Sequence, residues 1–329
     1  MNILITGANG FIGKALCIRL ASDNKVIGVY HRKKPDTPTN IVWEQADLTD
    51  YNSAGAIREK YSPAVVVHCA GLAHQKIGAV DFSTYMRANS EAATENLARA
   101  ASKGNPAVYF IFLSSVSVYG EDNLNMPVSE DSKCQPSSDY AFSKLDAERR
   151  LLALFDAGII GDLSILRLAP VYDRDWSFNL DRRVLAPLNM AYIRFGSGLQ
   201  RMSALARPNL VDFIHFLLHR SAATPGVDIL NVCDAEAYEF NKVVQVFKNS
   251  GSRPNRHIVS VPLPIVWLAT RIAGSLSPDK RGWLYSCYDK LASSLVFDNE
   301  KLLKTGFRPV HSLETIFDPQ ITQISQKND

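Results

Sequence analysis

The stretch Thr6–Gly13, which reads Thr-Gly-Ala-Asn-Gly-Phe-Ile-Gly, constrains the fold of this chain more than any other feature. The apolar run Ile3–Ile5 precedes it and predicts a short buried strand, and Phe11–Ala21 follows with the apolar spacing of one helix face. Glycines permit backbone angles that side chains forbid, and they let backbone amides approach a pyrophosphate at the positive end of the helix. The unit predicts a dinucleotide-binding domain whose first cofactor contacts are Gly7, Asn9, Gly10, Phe11, Ile12 and Gly13.

Composition excludes several classes of protein. The net charge of +3 is too small to indicate a nucleic-acid partner. The five cysteines are scattered and form no Cys-x-x-Cys pair, so neither a disulfide framework nor a zinc site is expected, and no metal is assigned. A strand begins at residue 2, which leaves no place for a signal peptide and predicts a cytoplasmic protein.

The chain continues as alternating strands and helices. Such alternation predicts an α/β fold with a doubly wound parallel sheet. The later strands are expected at Lys25–Tyr30, Ile41–Gln45, Ala64–His68, Val108–Leu113 and Leu163–Leu168, and the helices at Tyr51–Tyr61, at about Asp81–Ser102 and from Asp139 through Phe155.

After Pro170 the pattern becomes irregular, which predicts a smaller mixed C-terminal region for substrate binding. We assign residues 1–170 to the dinucleotide-binding domain, with returning segments near 207–234, and residues 171–206 and 235–329 to the substrate-binding region. The returning segments are a helix near Pro208–Arg220 and a strand near Asp228–Val232. The apolar stretch Val259–Leu276 contains two prolines and an arginine, so it is interpreted as a buried or pocket-lining helix and no membrane insertion is expected.

Three cations follow the second strand, where an NAD-binding fold usually places an acidic residue on the ribose hydroxyls. Arg32 and Lys33 are therefore the expected contacts to a 2′-phosphate, which favours NADP(H) and leaves NAD(H) open. The alternative is a solvated basic loop with no role in cofactor choice.

Two further strand ends offer cofactor contacts. Asp47 and Leu48 follow the third strand, and the Asp47 carboxylate could accept from an adenine amino group, whereas Thr49 or Asp50 could simply cap the next helix. Small residues after the fourth strand would let a nucleotide lie across the sheet, and those contacts are Cys69, Ala70 and Gly71. His68 is interpreted as a packed residue rather than a catalytic one.

A serine, a tyrosine and a lysine carry the expected chemistry. Tyr140 and Lys144 are four positions apart on a predicted helix, so they share one face. A nearby ammonium should lower the pKa of the tyrosine from about 10 toward the range of general acid–base catalysis. Ser115, at the end of the fifth strand, would hold the substrate oxygen while a hydride moves, and Lys144 could also bind the nicotinamide ribose.

Taken together, these motifs resemble the extended short-chain dehydrogenase/reductase family, which has the Rossmann fold and acts on nucleotide-diphosphate sugars. The resemblance covers about half of the chain. Within the family, the chain is most similar to bacterial 4-epimerases and 4-ketoreductases of UDP-N-acetylated sugars used in surface polysaccharide biosynthesis. The residues that carry it are Gly7, Gly10, Gly13, Asp47-Leu48, His68-Cys69-Ala70-Gly71, Ser115, Val118-Tyr119-Gly120, Tyr140, Lys144 and Pro170-x-Tyr172. It implies the cofactor and catalytic roles given above and adds Pro170 to the cofactor contacts.

The chain departs from the family pattern in places that bear on its reaction. Ser115-Val116-Ser117 stands where the similar 4,6-dehydratases carry Thr-Asp-Glu, which removes the acids for water elimination. Asp173 follows Tyr172 where the family usually has glycine, and Arg201-Met202-Ser203 stands where many members have an Arg-Asp-Tyr-like run. The substrate contacts expected are Ser117, Asn179 and Arg201. A cation of the C-terminal half, such as Arg201 or Arg281, would bind the diphosphate, and Trp176 or Phe195 could stack on the base. The alternative is that these residues are only surface charges and packing aromatics.

The expected function is therefore an NAD(P)-dependent oxidoreductase acting at C4 of a nucleotide-diphosphate sugar. The basic run after the second strand favours a 4-ketoreductase that draws on NADPH, and an NAD-retaining 4-epimerase is the alternative. A non-catalytic nucleotide-sensing protein on the same fold is a second alternative. A homodimer is left open as the assembly.

Overall fold

The structure is a computed structural model that describes residues 1–36, 40–73, 80–120, 127–220, 225–250 and 256–318. The chain divides into two compact units. The first comprises Met1–Gly120, Lys133–Leu168 and Val211–Leu230, and the second comprises Glu121–Ser132, Ala169–Leu210 and Asn231–Asp329. The domain boundaries given above, and the substrate-binding role of the later ranges, stay predictions. Within these ranges, residues 37–39, 74–79, 121–126, 221–224, 251–255 and 319–329 lie outside the described part of the chain.

The first unit is built on a seven-stranded sheet flanked by helices, which confirms the predicted α/β fold. Its strand order is β11-β6-β5-β4-β1-β2-β3, and neighbouring strands run parallel. The order reverses between β1 and β4, which is the switch point where such sheets bind ligands. The strands are β1 (Asn2–Thr6), β2 (Lys25–Tyr30), β3 (Val42–Gln45), β4 (Val65–His68), β5 (Tyr109–Ser115), β6 (Asp162–Leu168) and β11 (Val227–Val232).

The helices that follow these strands begin at side-chain caps in three cases. Asp50, Asp81 and Ser138 each accept a backbone N–H of the first turn, which satisfies a donor that the helix leaves free. The helices are α1 (Phe11–Leu20), α2 (Tyr51–Tyr61), α3 (Phe82–Met86), α4 (Ala93–Ser102), α5 (Asp139–Asp156) and α7 (Arg207–His219), and a π-helical turn, Arg87–Glu91, joins α3 to α4.

The core of the first unit lies between the sheet and its helices. The central strands β1, β4 and β5 are buried except for half-buried residues at the start of β1 and at both ends of β5, as expected for parallel strands covered on both faces. Burying the aliphatic and aromatic side chains contributes roughly 1.5–3 kcal/mol for each. One core cluster includes Leu4, Ile27, Val66, Phe110, Phe112, Leu151 and Leu163, every one of them essentially inaccessible to solvent.

The second unit contains short strands and helices. Its core is aromatic, with Tyr172, Phe240, Phe247 and Phe317 fully buried. The strands are β7 (Val171–Tyr172), β8 (Tyr192–Phe195), β9 (Arg201–Met202), β10 (Leu205–Ala206), β12 (Tyr238–Glu239) and β13 (Ile258–Val261), and the helices are α6 (Phe178–Val184), α8 (Phe240–Asn249), α9 (Leu263–Leu276), α10 (Arg281–Ala292), α11 (Glu300–Lys304) and α12 (Leu313–Phe317).

The interpretation of Val259–Leu276 as a buried helix is wrong, and the alternative that it lines a pocket stays a prediction. The segment forms the end of β13 and then α9, and Gly274 is the only residue of α9 that is buried. Ile265, Leu268 and Ile272 are each more than half exposed, because α9 packs mainly on α10 and leaves its opposite face uncovered within its unit. Among the described helices, none combines the length and the apolar character that a membrane crossing requires.

Candidate active site

The glycine turn has the geometry that a pyrophosphate site needs. Gly7 adopts a φ of +62°, and a Cβ placed there would lie 2.8 Å from the Ala70 nitrogen. At Gly13 a Cβ would lie 2.3 Å from the Gly7 carbonyl oxygen, so α1 can pack this closely on the turn only without a side chain. Gly10 is the N-cap of α1 and makes no side-chain cap, which leaves the helix N-terminus suited to an anion. Asn9 and Gly10 are exposed there, and Phe11 and Ile12 are half-buried.

The end of β4 lies against this turn. His68 is fully buried, with Nδ1 at 2.7 Å from the Thr6 hydroxyl and Nε2 at 2.9 Å from the Thr94 hydroxyl. Burial lowers the pKa of His68 to about 3, so the ring is neutral and structural, which confirms its interpretation as a packed residue. The Ala70 amide donates to the Thr6 hydroxyl at 3.1 Å, which fixes the Cys69–Gly71 segment beside the glycines.

The candidate acid–base groups meet at the end of β5. The Tyr140 hydroxyl is hydrogen-bonded to Ser115, and the Ser117 hydroxyl donates to the Ser115 oxygen at 2.9 Å. Burial raises the pKa of Tyr140 to about 12, while the hydrogen bond from Ser115 acts in the opposite direction. The expectation that Lys144 brings this pKa toward neutrality is wrong for the structure as it stands, since desolvation dominates.

Lys144 is buried behind this group and is itself perturbed. Its Nζ donates to the Leu113 carbonyl at 2.8 Å and lies 4.7 Å from the centre of the Phe112 ring. Burial lowers the pKa of Lys144 to about 8, with partial compensation from Cys69 and Glu148. A Cβ on Gly71 would lie 3.5 Å from Nζ, so the absence of a side chain there keeps the approach to the ammonium open.

Asn89 is a positioning residue that the sequence interpretation missed. It lies in the π-helical turn between α3 and α4, and such turns are frequent at functional sites. Its Nδ2 donates to the Leu72 carbonyl and to the Ser143 hydroxyl, each at 3.0 Å, and its Oδ1 accepts the Leu72 amide at 2.6 Å. Asn89 therefore connects the loop after β4 to the helix that carries Tyr140 and Lys144.

A buried ion pair supports the same helix from its inner side and was also missed. Arg167 on β6 donates to Glu148 on α5 at 2.7 Å, and both side chains are almost inaccessible to solvent. The Ser114 hydroxyl donates to Glu148 at 2.5 Å, and Arg167 donates to the Tyr119 hydroxyl at 2.9 Å. The network holds α5 against the strand that delivers Ser115.

The predicted contacts at the ends of β2 and β3 are placed on the same edge of the sheet. Arg32 and Lys33 are exposed after β2, which pairs with β1. Asp47 is exposed, and its Oδ1 accepts from the Thr49 amide and hydroxyl, which lowers its pKa. Leu48 is a core residue, and Asp50 is the cap of α2. The cofactor roles of Arg32, Lys33, Asp47 and Leu48 stay predictions.

The remaining predicted residues belong to the second unit. Pro170 and Asn179 are half-buried, with Asn179 on α6. Arg201 is exposed on β9 and donates to the Ala237 carbonyl at 3.4 Å, and Arg281 donates to the Gly274 carbonyl at 3.4 Å. Tyr172, which belongs to the resemblance, is buried and donates to Asp234 at 2.8 Å. Their roles toward cofactor or substrate stay predictions.

The side chains present suit a bound dinucleotide. The glycine turn and the uncapped N-terminus of α1 would hold its pyrophosphate, and the small residues after β4 leave room over the sheet. Lys144 would lie at the nicotinamide ribose, close to Gly71.

Comparison with known proteins gives a consistent family. The sequence profile of the NAD dependent epimerase/dehydratase family matches residues 3–233. A UDP-glucose 4-epimerase of Vibrio cholerae is 27% identical over 339 aligned residues, covering 100% of this chain and 97% of the relative. The methionine adenosyltransferase 2 subunit beta of Xenopus tropicalis is 30% identical, over 45% of this chain and 42% of the relative. The structure of a UDP-glucuronic acid 4-epimerase of Bacillus cereus in complex with NAD superposes over 100% of both chains with a TM-score of 0.73 at 21% identity.

Proposed function

The chain belongs to the NAD dependent epimerase/dehydratase family, which confirms the resemblance, and we propose that it transfers a hydride at C4 of a nucleotide-diphosphate sugar. The observation that carries the proposal is the hydrogen bond between Tyr140 and Ser115 beside the buried Lys144. A serine, a tyrosine and a lysine at this edge of the sheet form an acid–base set next to the glycine turn. Lys144 is buried, and Ser115 and Tyr140 are half-buried, so the action of these groups on a reacting oxygen is stronger than in water.

Tyr140, Ser115 and Ser117 have different roles in the proposed proton transfer. The nicotinamide cofactor, when bound, supplies or accepts the hydride. Tyr140 holds its proton, because burial raises its pKa to about 12, and it is the acid that protonates the oxygen at C4 of a keto sugar. Ser117 donates to Ser115 and Ser115 to Tyr140, which makes a short relay that can replace the proton. In the opposite direction Tyr140 must lose its proton, and the hydrogen bond with Ser115, which acts to lower its pKa, favours the phenolate.

A 4-epimerase is the form of this activity that the relatives favour. The Vibrio cholerae UDP-glucose 4-epimerase aligns with this chain along its whole length. In this form the cofactor is NAD, which stays bound, and the sugar is carried on UDP. The hydride would be removed from C4 of the sugar and returned to the opposite face of the same carbon.

A 4-ketoreductase is the second candidate, and the cations after β2 favour it. Arg32 and Lys33 are exposed at the end of the strand beside β1, with no acidic residue at 31–35. An arginine fork there could hold a 2′-phosphate, which would select NADP(H) and the cellular pool of reducing equivalents. In this form the substrate is a 4-keto-6-deoxy sugar nucleotide on the route to a surface polysaccharide.

One experiment separates the two forms. Purified protein is mixed with a 4-keto sugar nucleotide and NADPH, and separately with UDP-hexoses, and the reduced nicotinamide is followed by absorbance. Stoichiometric loss of NADPH supports the reductase. Equilibration of a UDP-hexose with its C4 epimer at constant absorbance supports the epimerase. Titration of NAD(H) and NADP(H) into cofactor-free protein, with Arg32→Ala beside the parent, tests whether the cations read a 2′-phosphate.

The non-catalytic alternative is tested by removing the acid. Tyr140→Phe deletes the hydroxyl that Ser115 contacts and should lower turnover by at least about a hundredfold, the lower range for general acid–base groups. Tyr51→Phe changes an exposed tyrosine on α2 and serves as the control. Equal turnover of nucleotide sugars by Tyr140→Phe and the parent would exclude this site, and saturable binding without any turnover would favour a sensor.

The proposed binding of the substrate diphosphate is tested with two arginines of the second unit. Arg201 and Arg281 are proposed to bind the diphosphate, with Asn179 near the sugar and Trp176 or Phe195 at the base. Binding of UDP-, TDP- and GDP-sugars is compared for the parent and for Arg201→Ala. An unchanged affinity in the variant would exclude that arginine, and absence of binding to all three nucleotides would exclude the substrate class.

We also propose a cytoplasmic homodimer. No disulfide joins the cysteines of the described residues, as is usual in reducing compartments. Phe82 on α3 and Phe142 on α5 are both nearly half exposed and pack edge to face at 6.5 Å, which forms an apolar surface suited to a second copy. Sedimentation of a Phe82→Ser, Phe142→Ser variant should give a monomer, whereas Ile18→Ser, at another exposed apolar residue, should not change the assembly. A parent that sediments as a monomer would exclude the dimer.

A further inference from the structure

Two histidines on α7 and an aspartate after α1 form a cluster in the first unit, away from the candidate active site. One ligand atom from each of Asp23, His215 and His219 lies within 4.8 Å of the others. We propose that this cluster is a binding site for a divalent transition metal of the zinc class. The sequence interpretation assigned no metal, because the aspartate and the nearer histidine are 192 positions apart in the chain.

The distance between two of the ligand atoms is that of a tetrahedral zinc site. His215 Nε2 lies 3.3 Å from Asp23 Oδ2, which is long for a charge-assisted hydrogen bond. Zinc binds histidine nitrogen and carboxylate oxygen at about 2.0–2.2 Å, and tetrahedral geometry then sets neighbouring ligand atoms about 3.3–3.5 Å apart. The separation of these two atoms therefore matches that of two ligands on one metal, and binding would displace any proton that they share to solvent.

A backbone contact orients the second histidine and fixes the proton on one of its ring nitrogens. His219 lies one helical turn after His215, and their ring centres are 4.2 Å apart. The His215 carbonyl accepts from Nδ1 of His219 at 2.8 Å, and because a carbonyl can only accept, Nδ1 carries the proton. Nε2 of the neutral ring is then free of its proton and can bind a metal. Donation of the other ring nitrogen to a backbone carbonyl is the usual outer contact of a metal-binding histidine.

The surrounding charges favour a cation. Arg19 lies 3.8 Å from Asp23, but it is also 3.9 Å from Asp212 on α7, so two carboxylates face one guanidinium. His219 lies in the last turn of α7, where the helix dipole stabilises positive charge. Asp23 and His219 are exposed, so the ion has access from solvent and the ring of His219 can close the remaining distance.

Zinc binding is measured on the full-length parent by equilibrium dialysis and by thermal unfolding with and without Zn²⁺. We expect one site whose occupancy raises the Tm by about 2–5 °C at saturating Zn²⁺, because the ligand binds the folded state. Mg²⁺ should have no comparable effect, since imidazole favours zinc-class metals. His215→Ala and His219→Ala should each lower the affinity at least tenfold, because even contacts to the ligands contribute about 10–100-fold.

Two controls make the result specific. His257→Ala alters an exposed histidine of the second unit and should leave zinc binding unchanged. The cysteines are present in every variant, so a difference between the parent and His219→Ala reports on the cluster alone. A Tm rise of equal size in the parent and both histidine variants would overturn the proposal, as would the absence of a saturable site in the parent.

Discussion

The buried ion pair between Arg167 and Glu148 makes the sharpest stability prediction. In Glu148→Gln the glutamine keeps the volume and one acceptor but leaves the Arg167 guanidinium without its carboxylate, at a position where the two side chains are 6% and 1% exposed. Attraction between unit charges 3–4 Å apart is about 4–6 kcal/mol at an effective dielectric of 20. Removal of one partner of a buried pair typically costs 3–5 kcal/mol. We therefore expect the free energy of unfolding to fall by about 3–5 kcal/mol.

The assay is guanidinium unfolding together with thermal melting, for which this loss corresponds to a Tm lower by about 6–20 °C in a unit of 150–250 residues. Arg167→Met combined with Glu148→Gln should recover part of the loss, because no unpaired charge remains buried. Glu91→Gln removes a half-exposed partner of Arg150 and should change stability little. A Glu148→Gln protein within about 1 kcal/mol of the parent would refute the reasoning.

Three further changes test the site itself. Lys144→Met removes an ammonium whose pKa burial lowers from 10.5 to about 8, a difference that costs about 3 kcal/mol at pH 7. We therefore expect the free energy of unfolding to rise by up to about 3 kcal/mol, together with loss of turnover. Because the pKa of Lys144 is lower in the folded than in the unfolded protein, the parent regains stability as the pH rises from about 8 to about 10.5. The extra stability of Lys144→Met should therefore disappear above about pH 10.5. Extra stability that persists there would contradict a depressed pKa for Lys144. Gly13→Ala places a Cβ 2.3 Å from the Gly7 carbonyl and should weaken cofactor binding at least tenfold by titration, whereas Gly55→Ala, with open space around it, should not. Asn89→Ala should lower turnover at a temperature where the variant is still fully folded, as checked by its thermal melting curve. A loss of turnover that only follows the loss of folded protein would indicate a purely structural role.

Local patterns in the sequence predicted most of the first unit. The bounds of β2 and α2 were predicted as they occur, and the glycine turn lies between β1 and α1 as expected. Hydrophobic periodicity and turn chemistry depend on only a few neighbouring residues, so they can be recognised in the sequence without knowledge of the fold. The meeting of Ser115 with Tyr140 was also anticipated, because both motifs have a fixed place in the family that the chain resembles.

Features that depend on residues distant in the chain could not be predicted from the sequence. Asn89 acts through Leu72 and Ser143, which lie 17 and 54 positions away, and its helical segment has no periodic signal that distinguishes it. The error at Val259–Leu276 has the same origin, because an apolar helix does not reveal which of its faces another element covers. The pKa of Tyr140 was misjudged because spacing showed its neighbour but not the depth of its burial.

Burial and charge at Lys144 connect the stability of the fold to its chemistry. Desolvation opposes the ammonium, and the carboxylate of Glu148 is one of the two groups whose charge restores part of its pKa. The ion pair behind α5 therefore acts on the site in two ways, since it holds the helix in place and helps to keep Lys144 protonated at neutral pH. In Glu148→Gln the pKa of Lys144 should fall further, and the loss of activity at alkaline pH should begin at a lower pH than in the parent. A purely mechanical support would lower turnover at every pH and leave the profile where it is.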